Sequence, residues 1–359
     1  MHEEDNRSQV NADSGRGLYI HIPFCRSKCP YCSFFSETGL HMTDDFLDAL
    51  EREAEEFRNW RFSTCYIGGG TPSVLSVRQT ERLFRIILER FELGPGAEIT
   101  AEVNPESADR DLLRALRGMG VNRLSVGAQS AHDSELALLG RRHKAAQTER
   151  CLEEALRAGF SNISVDLIFG FVGQTRKSWE KTLEWASELP VSHLSTYALS
   201  PHGGIEELPE EELIAMYLMR DEVLAPRGFI RYEISNYSKP GRESRHNLIY
   251  WRRGEYLGLG PSASSFSGNR RWRNEPALEL YLKAPPFARE TETLSPEQAR
   301  LEEIFLGTRL AEGIELGLSE IPESLAGLVE LREGRVSLSP MGVLVADRVA
   351  LELFELVER

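Results

Sequence analysis

Three of the five cysteines in this chain of 359 residues lie within one eight-residue segment, and this cluster constrains the fold more than any other feature. Cys25, Cys29 and Cys32 form a C-x3-C-x2-C motif directly after an apolar and aromatic run at 18–22, which predicts a buried strand. Three closely spaced thiolates suit an iron–sulfur cluster better than a closed four-ligand zinc site. We therefore expect a cubane cluster with one iron free of protein ligands. A zinc-binding interaction module is the alternative.

The remaining composition favours a cytoplasmic protein. The net charge is −14 and acidic residues are spread along the chain, so we expect neither a nucleic-acid partner nor an anionic membrane surface. No apolar run approaches the ~20 residues of a transmembrane segment, and the first seventeen residues are polar. Cys65 and Cys151 stand alone in apolar surroundings, which predicts buried thiols and a reducing compartment.

Strand and helix patterns alternate through the first two thirds of the chain, which predicts an α/β fold of parallel βαβ units with right-handed crossovers. The predicted strands cover 18–22, 64–67, 98–103, 122–127, 162–168 and 193–199. The predicted helices cover 44–58, 77–91, 109–118, 133–139, 147–158 and 176–188, and the acidic run at 209–213 predicts the start of another.

The chain divides into three predicted regions. Residues 1–16 form a disordered polar tail, residues 17–229 a barrel-like domain and residues 230–359 a smaller C-terminal α+β domain. Within the last region, the glycine-rich segment 254–268 predicts loops. Predicted helices at 296–311 and near 318–327, a hairpin turning at 333–334 and a helix at 341–357 resemble a winged-helix unit. We expect this unit to be structural because the chain is so acidic.

Polar and glycine residues recur where the predicted strands end. Ligands bind at the carboxyl ends of strands in parallel α/β folds, so these positions predict one shared pocket. Each position alone is also explained by a tight turn or a helix cap. The segments concerned are Gly68–Thr71, Glu102 with Asn104, Gly127 with Gln129 and Ser130, and Asp166 with the glycines at 170 and 173.

Taken in series, the motifs resemble the radical S-adenosylmethionine (SAM) superfamily. They are the cysteine motif with Tyr31, GGGTPS at 68–73, EVNPES at 102–107, GVNRLSVGAQS at 120–130, LGRRH at 139–143 and DLIFG at 166–170. More narrowly they resemble the branch that holds oxygen-independent coproporphyrinogen III oxidases and HemW-type heme chaperones. The resemblance extends from Leu18 to the C-terminus. It implies a partial (β/α)6 TIM-like barrel in which Cys25, Cys29 and Cys32 hold a 4Fe-4S cluster whose open iron binds SAM.

The resemblance also implies a set of SAM-binding residues. Tyr19 would lie beside SAM, and Gly69, Gly70 and Thr71 would meet its aminomethionyl end. The pocket would be completed by Glu102, Gln129, Arg141 and Asp166. The planar fork of Arg141 suits a carboxylate, and Asp166 can accept hydrogen bonds from ribose hydroxyls.

Three features separate the two branches of this family. The oxidases carry a fourth cysteine where this chain has Phe34, and they carry a longer N-terminal extension. The sequence HNLIYW at 246–251 matches the HNxxYW signature of the HemW branch, which implies a heme chaperone that transfers heme to an acceptor protein, with His246 as a heme ligand. Departures from the HemW pattern are Ser33, Val172, Ser262 and Ser264.

Several alternatives stay open. His246 is equally explained by a structural role beside Tyr250 and Trp251, and other candidate heme ligands are His21, His143, His193 and His202. The alternative function is an oxygen-independent coproporphyrinogen III oxidase of porphyrin biosynthesis. The sequence does not decide whether SAM is cleaved, and therefore whether the protein is an enzyme.

Overall fold

The computed structural model describes residues 15–199, 205–283 and 289–358, and within them a sheet of twelve strands dominates. Its centre is six parallel strands in chain order. They are β1 (Gly17–Ile22), β2 (Arg61–Gly69), β3 (Glu92–Val103), β4 (Arg123–Gln129), β5 (Ile163–Phe169) and β6 (His193–Ala198). This order confirms the predicted partial (β/α)6 arrangement.

Helices connect these strands along the chain. They are α1 (Thr43–Glu55), α2 (Val77–Arg90), α3 (Arg110–Gly118), α4 (Asp133–Leu138), α5 (Ala145–Arg157) and α6 (Arg176–Glu188). Side chains of Ser76, Asp109 and Thr175 begin α2, α3 and α6 by accepting hydrogen bonds from first-turn amides. These caps stabilise helix starts at the carboxyl side of the strands, which fixes where each strand-to-helix loop begins.

Side chains alternate between two environments along each strand, with the period of two that a β-strand imposes. On β1, Leu18, Ile20 and Ile22 are fully buried in the main apolar core. On β2 and β3, the alternate positions Tyr66 and Glu102 face a cavity instead. The outer surface of the barrel therefore supplies hydrophobic packing against the helices, while its interior is polar enough to hold a ligand.

Residues after 229 extend the same sheet at both edges. Helix α7 (Glu210–Leu224) precedes them, and β7 (Ile230–Arg231) and β8 (Asn236–Ser238) add antiparallel strands beside β6. After α8 (Arg245–Trp251), strand β9 (Tyr256–Leu259) pairs in parallel with β1. Antiparallel strands β10 (Ser264–Ser267), β11 (Arg270–Asn274) and β12 (Arg289–Thr293) continue outward, with α9 (Leu278–Lys283) between the last two.

The loop prediction for 254–268 is wrong, because that segment contains β9 and β10. Its glycines permit close packing of strands. A Cβ on Gly258 would lie 2.2 Å from the Ser264 carbonyl oxygen, and one on Gly260, where φ is +99°, would lie 2.5 Å from the His21 carbonyl oxygen. Glycine here marks a tight β9–β10 connection against β1.

The C-terminal residues build a small α+β unit with its own core. Its elements are α10 (Pro296–Gly307), β13 (Ile314–Glu315), β14 (Val329–Arg332), β15 (Arg335–Leu338), α11 (Pro340–Val343) and α12 (Ala346–Val357). The strands form a separate antiparallel sheet, and Ile304, Val336, Val349 and Leu353 are fully buried in a second apolar cluster. The hairpin turns at 333–334 as predicted.

Two helix predictions in this unit are wrong in detail. The helix expected near 318–327 is only a 3-10 turn at Glu323–Leu325, because Pro322 and the left-handed Gly327 confine it. The helix expected at 341–357 is broken between α11 and α12.

The structure describes only the last two residues of the predicted tail, and it describes the chain on both sides of the predicted boundary at residue 229. Residues 1–14 of the predicted tail lie outside the described residues, whereas Arg16 pairs with Glu255 at 2.6 Å and its guanidinium lies over Trp60. The boundary at residue 229 remains a prediction, and strands on both sides of it share one sheet. In the described part of the chain, no helix is long and apolar enough to span a bilayer.

Candidate cofactor site

A cavity of about 390 Å³ opens at the carboxyl ends of the parallel strands. Its wall combines the cysteine loop after β1 with residues at the ends of β2 to β6. The predicted site residues in this wall are Cys25, Cys29, Cys32, Gly69, Gly70, Thr71, Glu102, Gln129, Arg141 and Asp166. Tyr19 and His246 lie outside it.

The cysteine loop is pinned at its base by backbone hydrogen bonds. The Cys25 amide donates to the Glu37 carbonyl at 2.9 Å, and the Glu37 amide donates to the Pro23 carbonyl at 2.7 Å. Inside the loop, the Cys32 amide donates to the Cys29 carbonyl at 3.1 Å, which forms a tight turn between two cysteines. These bonds hold three half-buried thiols against one cavity.

The three thiols are free and electrostatically coupled. Burial raises the pKa of the Cys32 thiol, and the nearby Cys25 and Cys29 raise it further. Arg141 Nη1 lies 3.8 Å from Cys29 Sγ, and Thr71 Oγ1 lies 3.4 Å from Cys25 Sγ. Within the described residues no group of three acidic, histidine or cysteine side chains is placed around a single metal ion. A cubane does not need such a group, because each thiolate binds a different iron.

The glycine-rich turn after β2 lies directly beside this loop. The Gly70 amide donates to the Ile22 carbonyl at 2.8 Å, and a Cβ on Gly70 would lie 2.6 Å from the Phe24 carbonyl oxygen. Gly69 has φ of +108°, and a Cβ there would lie 2.7 Å from His21 Nδ1. Glycine is required at 70 because the backbone lies so close to the Phe24 carbonyl, and at 69 because the backbone has a positive φ.

Arg141 is fixed in the cavity wall by two hydrogen bonds from one nitrogen. Its Nη2 donates to Asn104 Oδ1 at 2.5 Å and to the Gly127 carbonyl at 3.1 Å. Its Nη1 lies 3.5 Å from the Tyr31 hydroxyl. Its buried Nε has no hydrogen-bond partner among the described residues. A guanidinium held in this way can still donate to an anionic ligand.

Glu102 presents a buried carboxylate to the cavity. Its Oε1 accepts from the Tyr66 hydroxyl at 2.8 Å and its Oε2 from the Gly69 amide at 3.2 Å. Burial raises the pKa of Glu102 to about 7, which these two donors partly oppose. A Cβ on Gly68 would lie 2.8 Å from Glu102 Oε1, so this glycine makes room for the carboxylate. The group can therefore change charge near neutral pH.

Asp166 and Gln129 lie on neighbouring strands at the cavity floor. Both Asp166 oxygens accept from the Ser125 hydroxyl, at 3.0 and 2.8 Å, and burial raises the pKa of Asp166. Gln129 has φ of +69°, at a point where the β4–β5 register shifts. A non-glycine residue in this conformation directs its side chain out of the regular strand alternation and into the cavity wall.

The two predicted site residues outside the wall lie deeper in the barrel. Tyr19 is half-buried, its hydroxyl lies 3.1 Å from His21 Nδ1, and its ring centroid is 6.2 Å from that of Tyr66. His246 is 1% exposed, with Nδ1 2.7 Å from the Thr64 hydroxyl and Nε2 2.8 Å from that of Tyr250. The geometry of His246 corresponds to the structural alternative, and heme ligation by it stays a prediction.

Of the other four candidate heme ligands, the three that the structure describes are also enclosed by the fold. His21 Nε2 lies 2.8 Å from the Phe35 carbonyl oxygen, and His193 lies between the Ser164 and Tyr232 hydroxyls. His21, His143 and His193 are all buried, and His202 lies outside the described residues.

Sequence reasoning did not assign several residues that line the cavity. Tyr66 is signalled by its inward position on β2, two residues before the glycines, whereas Asn104 is among the residues that the sequence does predict to share the pocket. Tyr31 lies inside the cysteine motif itself. Phe34, which is 64% exposed, and Tyr197 add aromatic surface to the wall.

Comparison with known proteins agrees with this geometry. Residues 19–186 match the radical SAM superfamily. The chain is 37% identical over 311 residues to the heme chaperone HemW of Lactococcus lactis, which covers 82% of each chain. It is 33% identical over 367 residues to HemW of Mycobacterium tuberculosis, which covers 94% of each chain. The solved structure of coproporphyrinogen III oxidase HemN from Escherichia coli superposes with a TM-score of 0.80 at 24% identity, covering 95% of this chain and 90% of that one.

Proposed function

Because this chain belongs to the HemW family of the radical SAM superfamily, we propose that it is a heme chaperone. It binds a 4Fe-4S cluster, SAM and heme, and it transfers heme to an acceptor protein in the cytoplasm. The observation that carries the cluster and SAM part of this proposal is the cavity at the strand ends, where three free cysteines meet a buried carboxylate and a fixed guanidinium.

The residues present fit a cluster with SAM. Cys25, Cys29 and Cys32 hold the cluster, which supplies SAM with an open iron and a source of electrons. Arg141 lies beside Cys29 with an unpartnered Nε, so it can bind the methionyl carboxylate next to the cluster. Arg141 therefore places a positive charge at the end of the cavity where the methionyl carboxylate of SAM is expected.

The remaining cavity residues hold the other parts of SAM. Gly69, Gly70 and Thr71 present backbone groups to the aminomethionyl end, and Glu102 accepts hydrogen bonds when ionised. Gln129 and Asp166 face the nucleoside from the floor. Tyr19 lies outside the wall and is connected to it through the neighbouring ring of Tyr66. The heme chaperone function itself rests on relatives of that name together with Phe34 and the HNLIYW sequence.

Ligation of heme iron by His246 requires a local rearrangement. The imidazole Nε2 would have to leave the Tyr250 hydroxyl, and the side chain would have to become exposed. Burial lowers the pKa of His246 to about 3, so the ring is neutral in this structure. An exposed imidazole is also mostly neutral at pH 7 and can then bind iron.

The test is anaerobic reconstitution followed by three measurements on one preparation. We expect about four irons per chain, a SAM-dependent change in the cluster spectrum, and a Soret shift on hemin titration. Zinc in place of iron would support an interaction module instead. A protein that binds no hemin is not a heme chaperone.

A radical SAM coproporphyrinogen oxidase is the second candidate, favoured by the likeness of the whole fold to HemN. That reaction oxidatively decarboxylates propionate side chains of coproporphyrinogen, and SAM is reductively cleaved in the process. Phe34 replaces the fourth cysteine of the oxidases, so we expect no decarboxylated product from coproporphyrinogen. Its formation in the absence of hemin binding would favour the oxidase.

A further inference from the structure

Tyr66 connects the cavity to a residue outside it. Its hydroxyl donates to Glu102 Oε1 at 2.8 Å, and its ring stacks on the His246 imidazole, with centroids 5.2 Å apart and an interplanar angle of 27°. Tyr66 and Glu102 belong to the cavity wall, whereas His246 does not. One tyrosine therefore lies between the histidine of the HNLIYW sequence and a carboxylate of the proposed SAM pocket.

The His246 ring is held from both sides. Its Nδ1 and Nε2 lie 2.7 and 2.8 Å from the hydroxyls of Thr64 and Tyr250, and its backbone amide donates to Glu98 Oε1 at 3.0 Å. The ring also lies close to β1, since a Cβ on Gly17 would be 3.1 Å from its Cε1. An imidazole with both nitrogens engaged in a closed space presents a fixed face to Tyr66.

We infer that His246 is a positioning residue for the SAM pocket: its ring holds Tyr66 in the place from which the phenol donates to Glu102. This inference rests on the SAM binding proposed above and goes beyond it, because it gives the HNLIYW sequence a role that needs no contact with heme. Without Tyr66, the Glu102 carboxylate keeps one of its two described hydrogen bonds, the one from the Gly69 amide.

The pH dependence of SAM binding reports on this contact. The Tyr66 hydroxyl lowers the pKa of Glu102, so its withdrawal raises that pKa further above its ordinary range. SAM binding that needs the ionised carboxylate then begins at higher pH. The titratable and charged groups around Glu102 are Tyr19 on β1, Tyr66 on β2, Arg123 on β4, Asp166 on β5 and Tyr197 on β6.

The experiment measures SAM binding by equilibrium dialysis over a pH series, using anaerobically reconstituted protein without reductant so that SAM is not cleaved. We expect H246A and Y66F to weaken SAM binding several-fold at neutral pH and to move its pH midpoint upward. T64V removes the partner of Nδ1 but keeps the imidazole, so it should move the midpoint in the same direction by less. The control I249A truncates a buried side chain on the same helix and should leave the midpoint unchanged.

The outcomes separate this inference from the proposed function. An unchanged midpoint in T64V and H246A, with hemin binding lost in H246A, would overturn the positioning role and make His246 a heme ligand. If H246A does not fold, H246F takes its place, because it keeps a ring against Tyr66. The midpoint of T64V then decides whether His246 positions Tyr66. If the wild-type protein binds SAM but not hemin, the chaperone proposal fails, and the midpoint shift still tests the role of His246.

Discussion

Replacement of Glu102 by glutamine should make the protein less sensitive to pH. The carboxyl is fully enclosed, and burial raises its pKa from 4.5 to about 7. The folded state therefore holds this proton more tightly than the unfolded state. The contribution of the protonated Glu102 carboxyl to the free energy of unfolding is fully present below pH 4.5 and is lost as pH rises through about 7. At 1.36 kcal/mol per pKa unit, the loss amounts to about 3 kcal/mol.

Glutamine has nearly the shape of glutamate, and its carbonyl oxygen can accept from Tyr66 or from the Gly69 amide. We expect the Glu102→Gln variant to match the wild type below pH 4.5 and to exceed its stability by up to about 3 kcal/mol above pH 8. The gain is largest without SAM, because SAM binding is proposed to need the negative charge. The same variant should bind SAM more weakly.

The assay is urea unfolding of cluster-free protein under anaerobic reducing conditions, with the variant and the wild type compared at each pH. Glu92→Gln is the matched control, since Glu92 lies on the same strand with 63% of its side chain exposed. A stability difference that stays constant between acidic and alkaline pH would refute the argument that burial raises the pKa of Glu102.

Three other substitutions test separate parts of the site. Gly69→Ala should cost about 2 kcal/mol or more in thermal unfolding and weaken SAM binding, because φ is +108° and the new Cβ would lie 2.7 Å from His21 Nδ1. Cys29→Ala should remove most of the iron, whereas Cys65→Ala, at a thiol buried in the main core, should retain it in the same iron assay. Arg141→Lys should weaken SAM binding about tenfold or more, measured by dialysis, because an ammonium cannot reproduce the planar fork; undiminished affinity would exclude Arg141 from the SAM site.

The central barrel was predictable because local and global signals agree there. Strands β1 and β4 alternate apolar residues with polar ones, and capped amphipathic helices such as α2 and α6 separate the strands. Cavity-lining residues were predictable for a related reason. In a parallel sheet the carboxyl ends of the strands share one edge, so Glu102 near the end of β3 and Asp166 in the middle of β5 could be placed in one pocket from their positions.

Strands β9 and β10 were not predictable, because their signal is not local. Strand β9 pairs with β1 more than two hundred positions earlier in the chain, from Gly17 with Tyr256 to Ile20 with Leu259. Its four residues are flanked by glycines, which sequence reasoning interprets as loop. For His246 the sequence predicted a structural role and heme ligation equally, since a histidine in a short helix gives no indication of what covers it.

The contacts made after residue 229 show why the C-terminal third matters for the cofactor site. Glu53 on α1 is fully buried, and its oxygens accept from the Gly260 amide at 2.9 Å, Asn274 Nδ2 at 2.6 Å and the Tyr281 hydroxyl at 2.6 Å. These three donors all lie beyond residue 229. Without them the Glu53 carboxylate would be buried without its described donors, which would lower the free energy of unfolding by several kcal/mol. The β1 edge that carries the cysteine loop is likewise completed by β9. The strand that presents the three cysteines is therefore flanked by β2 on one side and, on the other, by β9 from the later part of the chain.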